Sequence, residues 1–183
     1  MSVPADAAFQ LPDWTQASPR RRVHIERVVA LLAGWATLAR LPEAEQRAWI
    51  DAGRFHDALR DADEADLRRW TSDRESPAAL LHGPAAAVVL ESRGELRADV
   101  LDAVRYHTVG SADWSRTGQA LYMADYLEPG RTFDTAARAA IAARVPDEFD
   151  ACFRKVVRMR RDRAVSADRP IPAQTAGLWE RFA

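Results

Sequence analysis

The sequence predicts an all-α protein, a compact helical bundle, on three observations. Alanine is abundant and glycine is scarce, at 8 of 183 residues, which favours helix over sheet. Apolar residues recur at spacings of three and four along most of the chain. No stretch of any length alternates apolar and polar residues as a half-buried strand does.

The elements follow in order. Residues 1–19 carry Pro4, Pro12 and Pro19 and no sustained period, and read as an extended or loosely packed N-terminal arm. Val23, Val28, Leu31, Leu32, Trp35 and Leu38 mark a helix over 20–40, with Ser18 as its cap and Pro19 in its first turn. Leu41 and Pro42 close it. Pro42 then opens a second helix, with Glu43 and Glu45 in the favourable first turn, which runs to residue 57 or just beyond. A short charged helix over 61–69 and a loop over 71–77 follow. A helix over 82–91 is broken at Ser92, Arg93 and Gly94, and an amphipathic helix over 95–106 presents Leu96, Val100, Leu101 and Val104 on one side. Residues 108–111 form a turn containing Gly110, and a helix over 115–126 ends at Pro129 and Gly130. Two closing helices span 133–144 and 146–163. The basic run 158–163 reads as a solvated helix end. The organisation is an arm (1–19), one helical domain (20–165) and a C-terminal tail (166–183), in which Trp179 and Phe182 are candidates to dock on the core.

Composition narrows the function. The chain has 26 Lys and Arg against 27 Asp and Glu, a formal net charge of −1, which argues against coating a nucleic acid or an anionic membrane. Nearly all the positive charge is arginine, with Lys155 the only lysine. One cysteine, Cys152, excludes an intramolecular disulfide and leans away from a thiolate zinc site. No segment approaches the length of a membrane helix, and the start of the chain does not read as a signal peptide, so the expected location is the cytoplasm. Six tryptophans are candidates for a contact in a homodimer, although core packing accounts for most of them equally well.

The chain has four histidines, His24, His56, His82 and His107. His24 lies in the first helix, His56 is followed by Asp57 at the end of the second, His82 starts a helix and His107 ends one. Asp125 ends the next. Any one of these alone is more often a surface or core residue than a ligand. Their order along successive helices is the stronger signal. Imidazole and carboxylate donors suit Fe, Mn, Zn, Co or Ni. At a helix end His56 and Asp57 can both approach one ion, with Asp57 reaching a second.

The stretches VHIER (23–27), RFHDALR (54–60), LLHGP (80–84), RYHTVGS (105–111) and LYMADYLEPGR (121–131) resemble the HD-domain superfamily of metal-dependent phosphohydrolases. More narrowly, they are similar to its YqeK-like branch, the symmetrical bis(5′-nucleosyl)-tetraphosphatases. The resemblance covers residues 20 to 165. It implies two divalent or mixed-valence metal ions, usually iron. His24, His56, Asp57 and Asp125 would hold one; Asp57, as a bridge, with His82 and His107 would hold the other. One departure stands out: many HD proteins have HD-x-x-K, and here that position is Arg60. Arginine keeps the charge and can grip phosphate with two donors, but it does not replace lysine as a proton donor.

The implied activity is hydrolysis of a dinucleoside polyphosphate, diadenosine tetraphosphate being cut to two ADP, with Asp57 and Arg60 in catalytic roles. Two metals can clamp the attacking and leaving oxygens of an in-line displacement. Arg60 and Arg131 are candidate phosphate contacts, with Thr108 and Gly110 in a turn where backbone can approach phosphate. Arg27 and Glu128 are candidates to support the ligands. Tyr122 and Tyr126 read as core, with base stacking as the alternative. The competing functions are another HD nucleotide phosphohydrolase, acting on a nucleoside monophosphate, a dNTP or a signalling nucleotide, and a non-catalytic nucleotide-binding module. The module is disfavoured because no ligand is missing.

Overall fold

Ser18 and Pro19 start the first helix as the sequence predicts. The Ser18 hydroxyl accepts the Arg21 N–H at 3.4 Å, and Pro19 takes the first helical position, where no amide donor is needed. The structure is a computed structural model that describes residues 10–168 and 170–183. Its helices are α1 (Pro19–Leu38), α2 (Glu43–Phe55), α3 (Glu64–Arg69), α4 (His82–Ser92), α5 (Ala98–Tyr106), α6 (Arg116–Leu127), α7 (Thr135–Arg144), α8 (Phe149–Ser166) and α9 (Ala173–Phe182), with one 3-10 turn at Ala78–Leu80. No strand occurs among the described residues. None of their helices is long and apolar enough to cross a membrane.

α6 is the central element. Every residue from Ala120 to Leu127 is buried, so the helix has no solvent face and must be wrapped by the others. One cluster of buried side chains joins α6 to α1, α2 and α8 through Val28, Leu32, Trp49, Leu121, Met123, Phe153 and Val157. A second joins Leu59 and Leu67 to α4 and α5 through Leu81, Ala85, Leu90 and Val104. Phe55, immediately before His56, packs against both. Trp35, Trp49 and Trp114 belong to the core, whereas Trp70 is exposed.

Four features depart from the sequence reading. α2 stops at Phe55, and residues 56–61 turn sharply, with Ala58 N–H donating to Phe55 O and Arg60 N–H to Asp57 O at 3.1 Å each. Arg60 is therefore not on a continuation of α2. α5 starts only at Ala98, which leaves Leu96 outside it and 83% exposed. The guanidinium of Arg97 pins this lead-in segment to Asp51 of α2 at 2.8 Å. The tail forms α9, which buries Leu178 completely and sets Phe182 edge-on to Phe153 at 5.1 Å. Finally, the described end of the arm is fastened. Gln16 N–H donates to Ala58 O at 2.7 Å and its carbonyl accepts from Asp61 N–H at 3.1 Å, while Trp14 packs on Phe55. Residues 1–9 of that predicted arm lie outside the described residues.

Candidate metal centre

The turn after α2 brings His56 and Asp57 inward from consecutive positions, which a continuing helix could not do because neighbours there point about 100° apart. α1 supplies His24 from its first two turns, α4 supplies His82 at its start, and His107 follows the last residue of α5. Gly83 lets α4 and α5 meet closely: a Cβ there would lie 2.8 Å from Val104 O and 3.2 Å from His107 Cε1. All four histidines, Asp57 and Asp125 are buried.

Asp57 divides its carboxylate between two groups. Oδ2 lies 3.6 Å from His24 Nε2 and 3.4 Å from His56 Nε2. Oδ1 lies 3.2 Å from His82 Nε2 and 3.4 Å from His107 Nε2. In each group the donor atoms lie within 4.8 Å of one another, close enough to hold one ion, and Asp57 belongs to both groups. Asp125 adjoins the first group, with Oδ1 3.2 Å from His24 Nε2.

The ring orientations explain why Nε2 is the atom presented. His56 Nδ1 faces Gly53 O at 2.8 Å, His82 Nδ1 faces Ala79 O at 3.0 Å, and His107 Nδ1 faces Val104 O at 2.8 Å. A carbonyl only accepts, so each Nδ1 carries a proton, which in the neutral ring leaves the lone pair on Nε2, the atom turned toward Asp57. His24 Nδ1 donates to Glu128 Oε1 at 3.3 Å. In the second group two imidazole nitrogens and a carboxylate oxygen thus converge, with the Thr108 hydroxyl the one donor beside them. A cation is the group such a donor set fits, and nitrogen and oxygen donors suit a transition ion.

Electrostatics separate the two groups. Burial works against the charged form of His24, but hydrogen bonds to Asp125 and Glu128 and the charges of Asp125 and Asp57 outweigh it and raise its pKa to about 9. Burial lowers His82 to about 4, aided by His107 and Arg60 and opposed by Asp57. Burial would raise Asp57, yet His56, His107 and His82 hold it well below the carboxylate range. Asp125 is likewise held low against burial by His24, Arg131 and Arg160.

The other predicted residues fall in different places. Arg60 lines the mouth of the centre with Arg21, His82 and Thr108. The Thr108 hydroxyl is 3.1 Å from His107 Nε2 and 3.4 Å from His82 Nε2. Arg131 donates to Asp125 Oδ1 at 2.5 Å and to its carbonyl at 2.8 Å. Glu128, buried, orients His24 and accepts Gly130 N–H at 2.6 Å. Arg27 reaches Glu128 at 3.8 Å. Gly110 is accounted for by packing: its φ is +87° and a Cβ would lie 2.5 Å from Leu178 of α9. Tyr122 and Tyr126 are buried against aromatic neighbours, and both also line the cavity beside Asp125.

Two residues went unread in the sequence. Arg21 donates to Asp57 Oδ2 at 2.7 Å; its signal was its place one turn before His24 on the same face of α1. Arg160 lies over the Tyr122 ring at 3.9 Å and reaches Asp125 Oδ2 at 3.5 Å. It extends the buried face of Phe153, Val156 and Val157 by one turn, and a charge on that face was its signal. The basic run is accordingly not one solvated end: Arg160 and Arg163 line a cavity beside Asp125, whereas Arg158 is exposed.

The fold is matched by a solved structure, a "predicted HD superfamily hydrolase involved in NAD metabolism" from Clostridium acetobutylicum. The TM-score is 0.75 at 18% identity, over 90% of this chain and 89% of that one. The chain shares the fold of that structure. Among curated proteins, the chain is 35% identical over 104 residues to the symmetrical bis(5′-nucleosyl)-tetraphosphatase of Halalkalibacterium halodurans. It is 43% identical over 54 residues to the protein so named from Staphylococcus aureus, and 31% over 87 residues to that from Bacillus subtilis. These segments cover 52%, 29% and 43% of this chain, and 56%, 28% and 47% of the relatives, so the chain spans about half or less of each relative's length. No family model matches the chain.

Proposed function

We propose that the protein is a metal-dependent phosphohydrolase that cleaves a dinucleoside polyphosphate at its centre, diadenosine tetraphosphate giving two ADP. The observation that carries the proposal is the divided carboxylate of Asp57, with two histidines at each oxygen. Three relatives named as symmetrical tetraphosphatases support the substrate class.

His24, His56, Asp57 and Asp125 would hold one ion and Asp57, His82 and His107 the other. We take both to be iron, a metal compatible with these nitrogen and oxygen donors. When bound, the pair supplies a nucleophile derived from water at neutral pH and neutralises charge on the phosphates. The chain's own residues do the rest. Glu128 and the three backbone carbonyls fix the imidazole rings, so that the ligands need no reorganisation. Arg21 and Arg131 pair with the two buried carboxylates at the mouth, Asp57 and Asp125. Arg60, Arg131 and Arg160 surround the mouth with guanidinium donors that match phosphate oxygens. In the reaction one oxygen of water joins a central phosphorus and the P–O bond on its far side breaks. The departing half keeps the bridging oxygen, and the two protons of water are distributed over the products and solvent.

The test is product analysis with metal-loaded protein and diadenosine tetraphosphate. ADP as the sole nucleotide product is expected. ATP and AMP, or turnover of a different nucleotide class only, would overturn the assignment.

A further inference from the structure

The mouth of the metal centre adjoins two cavities of similar size. One, of about 440 Å3, shares Thr108, Asp125, Arg131 and Arg160 with the mouth and is walled by Phe133 and Trp179. The other, of about 520 Å3, shares Arg21 and Arg131 with the mouth, includes His24, and is lined by Arg20 and Arg27. Arg131 and Phe133 line both and form the divide. Both volumes lie in the range that takes a small organic ligand. A substrate cut at its midpoint carries equal arms on either side of the broken bond, and so needs a receptor on each side of the centre.

The second cavity has the chemistry of a phosphate receptor. Its carboxylates are occupied: Asp61 Oδ2 accepts Ser18 N–H at 2.7 Å, and the two oxygens of Glu128 accept from His24 and Gly130. Arg21 and Arg131 are paired with Asp57 and Asp125. Arg20 has no carboxylate partner among the described residues, and Arg27 has only the 3.8 Å approach to Glu128. The Arg27 guanidinium lies across Gly130, where a Cβ would come within 1.7 Å of its Nη1. Two guanidiniums are thus poised beside His24 with donors to spare, in a cleft that has Phe133 as its only aromatic wall.

We propose that this cleft, built by Arg20, Arg27 and Arg131 beside His24, binds the second nucleoside diphosphate arm of the substrate through its phosphates. The proposal rests on the dinucleoside polyphosphate reading above and adds to it a seat for each half. The cavity walled by Trp179 takes one arm and the arginine cleft takes the other, so that each product begins its release from a different pocket.

The experiment is calorimetric titration of ADP into metal-loaded protein, wild type and the double variant Arg20→Ala/Arg27→Ala. Both side chains are exposed, so the variant should fold, and circular dichroism checks it. Two ADP per chain are expected for the wild type. In the variant one site should be kept and the other weakened about tenfold or more. One ADP per chain in the wild type, or two undisturbed sites in the variant, would overturn the proposal. Product analysis separates the two readings. Clean ADP production with a single ADP site sinks the cleft alone. Two sites, one of them lost in the variant, without cleavage of diadenosine tetraphosphate sink the assigned reaction and leave the cleft as a nucleoside diphosphate site.

Discussion

The Nε2 atoms of His82 and His107 lie 3.0 Å apart, both facing Asp57 Oδ1. Both rings spend their N–H on a backbone carbonyl, and burial keeps His82 neutral until the pH falls to about 4. Such a pair is poorly stable alone and well suited to a shared cation. His82→Ala should therefore remove the ion of the second group and leave the first, with His24, His56, Asp57 and Asp125 intact. Elemental analysis should read about half the wild-type metal, with unchanged helicity. Full retention of metal would count against the second site.

The two groups should also differ in pH dependence. An ion must displace a proton from His24 Nε2 whenever the pH is below about 9, because there the metal-free residue is protonated. Affinity at the first group should fall about tenfold per unit as the pH drops from about 8 to about 6. His82, neutral down to about 4, imposes no such cost on the second group in that range. Equilibrium dialysis at several pH values, with His82→Ala to isolate the first group, measures this. Identical slopes for both groups would contradict the assignment of the proton to His24.

Gly83 sets the distance between α4 and α5. Gly83→Ala would press a methyl group against Val104 O and Arg105 O and push His82 away from His107. A loss of about 1–3 kcal/mol is expected from overpacking, together with weakened binding at the second group. Thermal melts of metal-free and metal-loaded protein check both parts. Equal stabilisation by metal in variant and wild type would show that the contact does not position the ligand.

Arg138 is the structural support of the loop that carries Glu128 and Arg131. Its buried guanidinium donates to the carbonyls of Tyr126 at 2.9 Å, Glu128 at 2.5 Å, Arg131 at 3.0 Å and Phe133 at 3.1 Å. These include carbonyls at the end of α6 that have no helical donor. Arg138→Met should cost about 2–4 kcal/mol, since it leaves several buried acceptors unsatisfied. A melting temperature within a degree of wild type would remove this role.

Much of this was legible in the sequence where local chemistry decides the outcome. Ser18 and Pro19 begin α1 through interactions inside a single turn. The histidines stood out because His24 lies in the first helix and the other three fall at the ends of successive helices. Helix period alone does not say where α2 stops, since Phe55, His56 and Asp57 continue a helical pattern until tertiary packing turns the chain. Leu96 reads as part of an apolar face, but the Arg97–Asp51 pair delays the helix past it. Arg160 and Arg138 were hidden for a different reason: an arginine is ordinarily a surface residue, and only the fold reveals the carboxylate or the carbonyls that receive it. α9 depends on docking Leu178 against Gly110, a contact across distant parts of the chain.

The central claim is that one carboxylate serves two ions. Metal counting on wild type and Asp57→Ala, each loaded with iron under reducing conditions, tests it most directly. Two ions per chain in the wild type and loss of both in the variant are expected, because Asp57 Oδ1 and Oδ2 serve different histidine groups. One ion per chain in the wild type, or a folded variant that retains both, would contradict it.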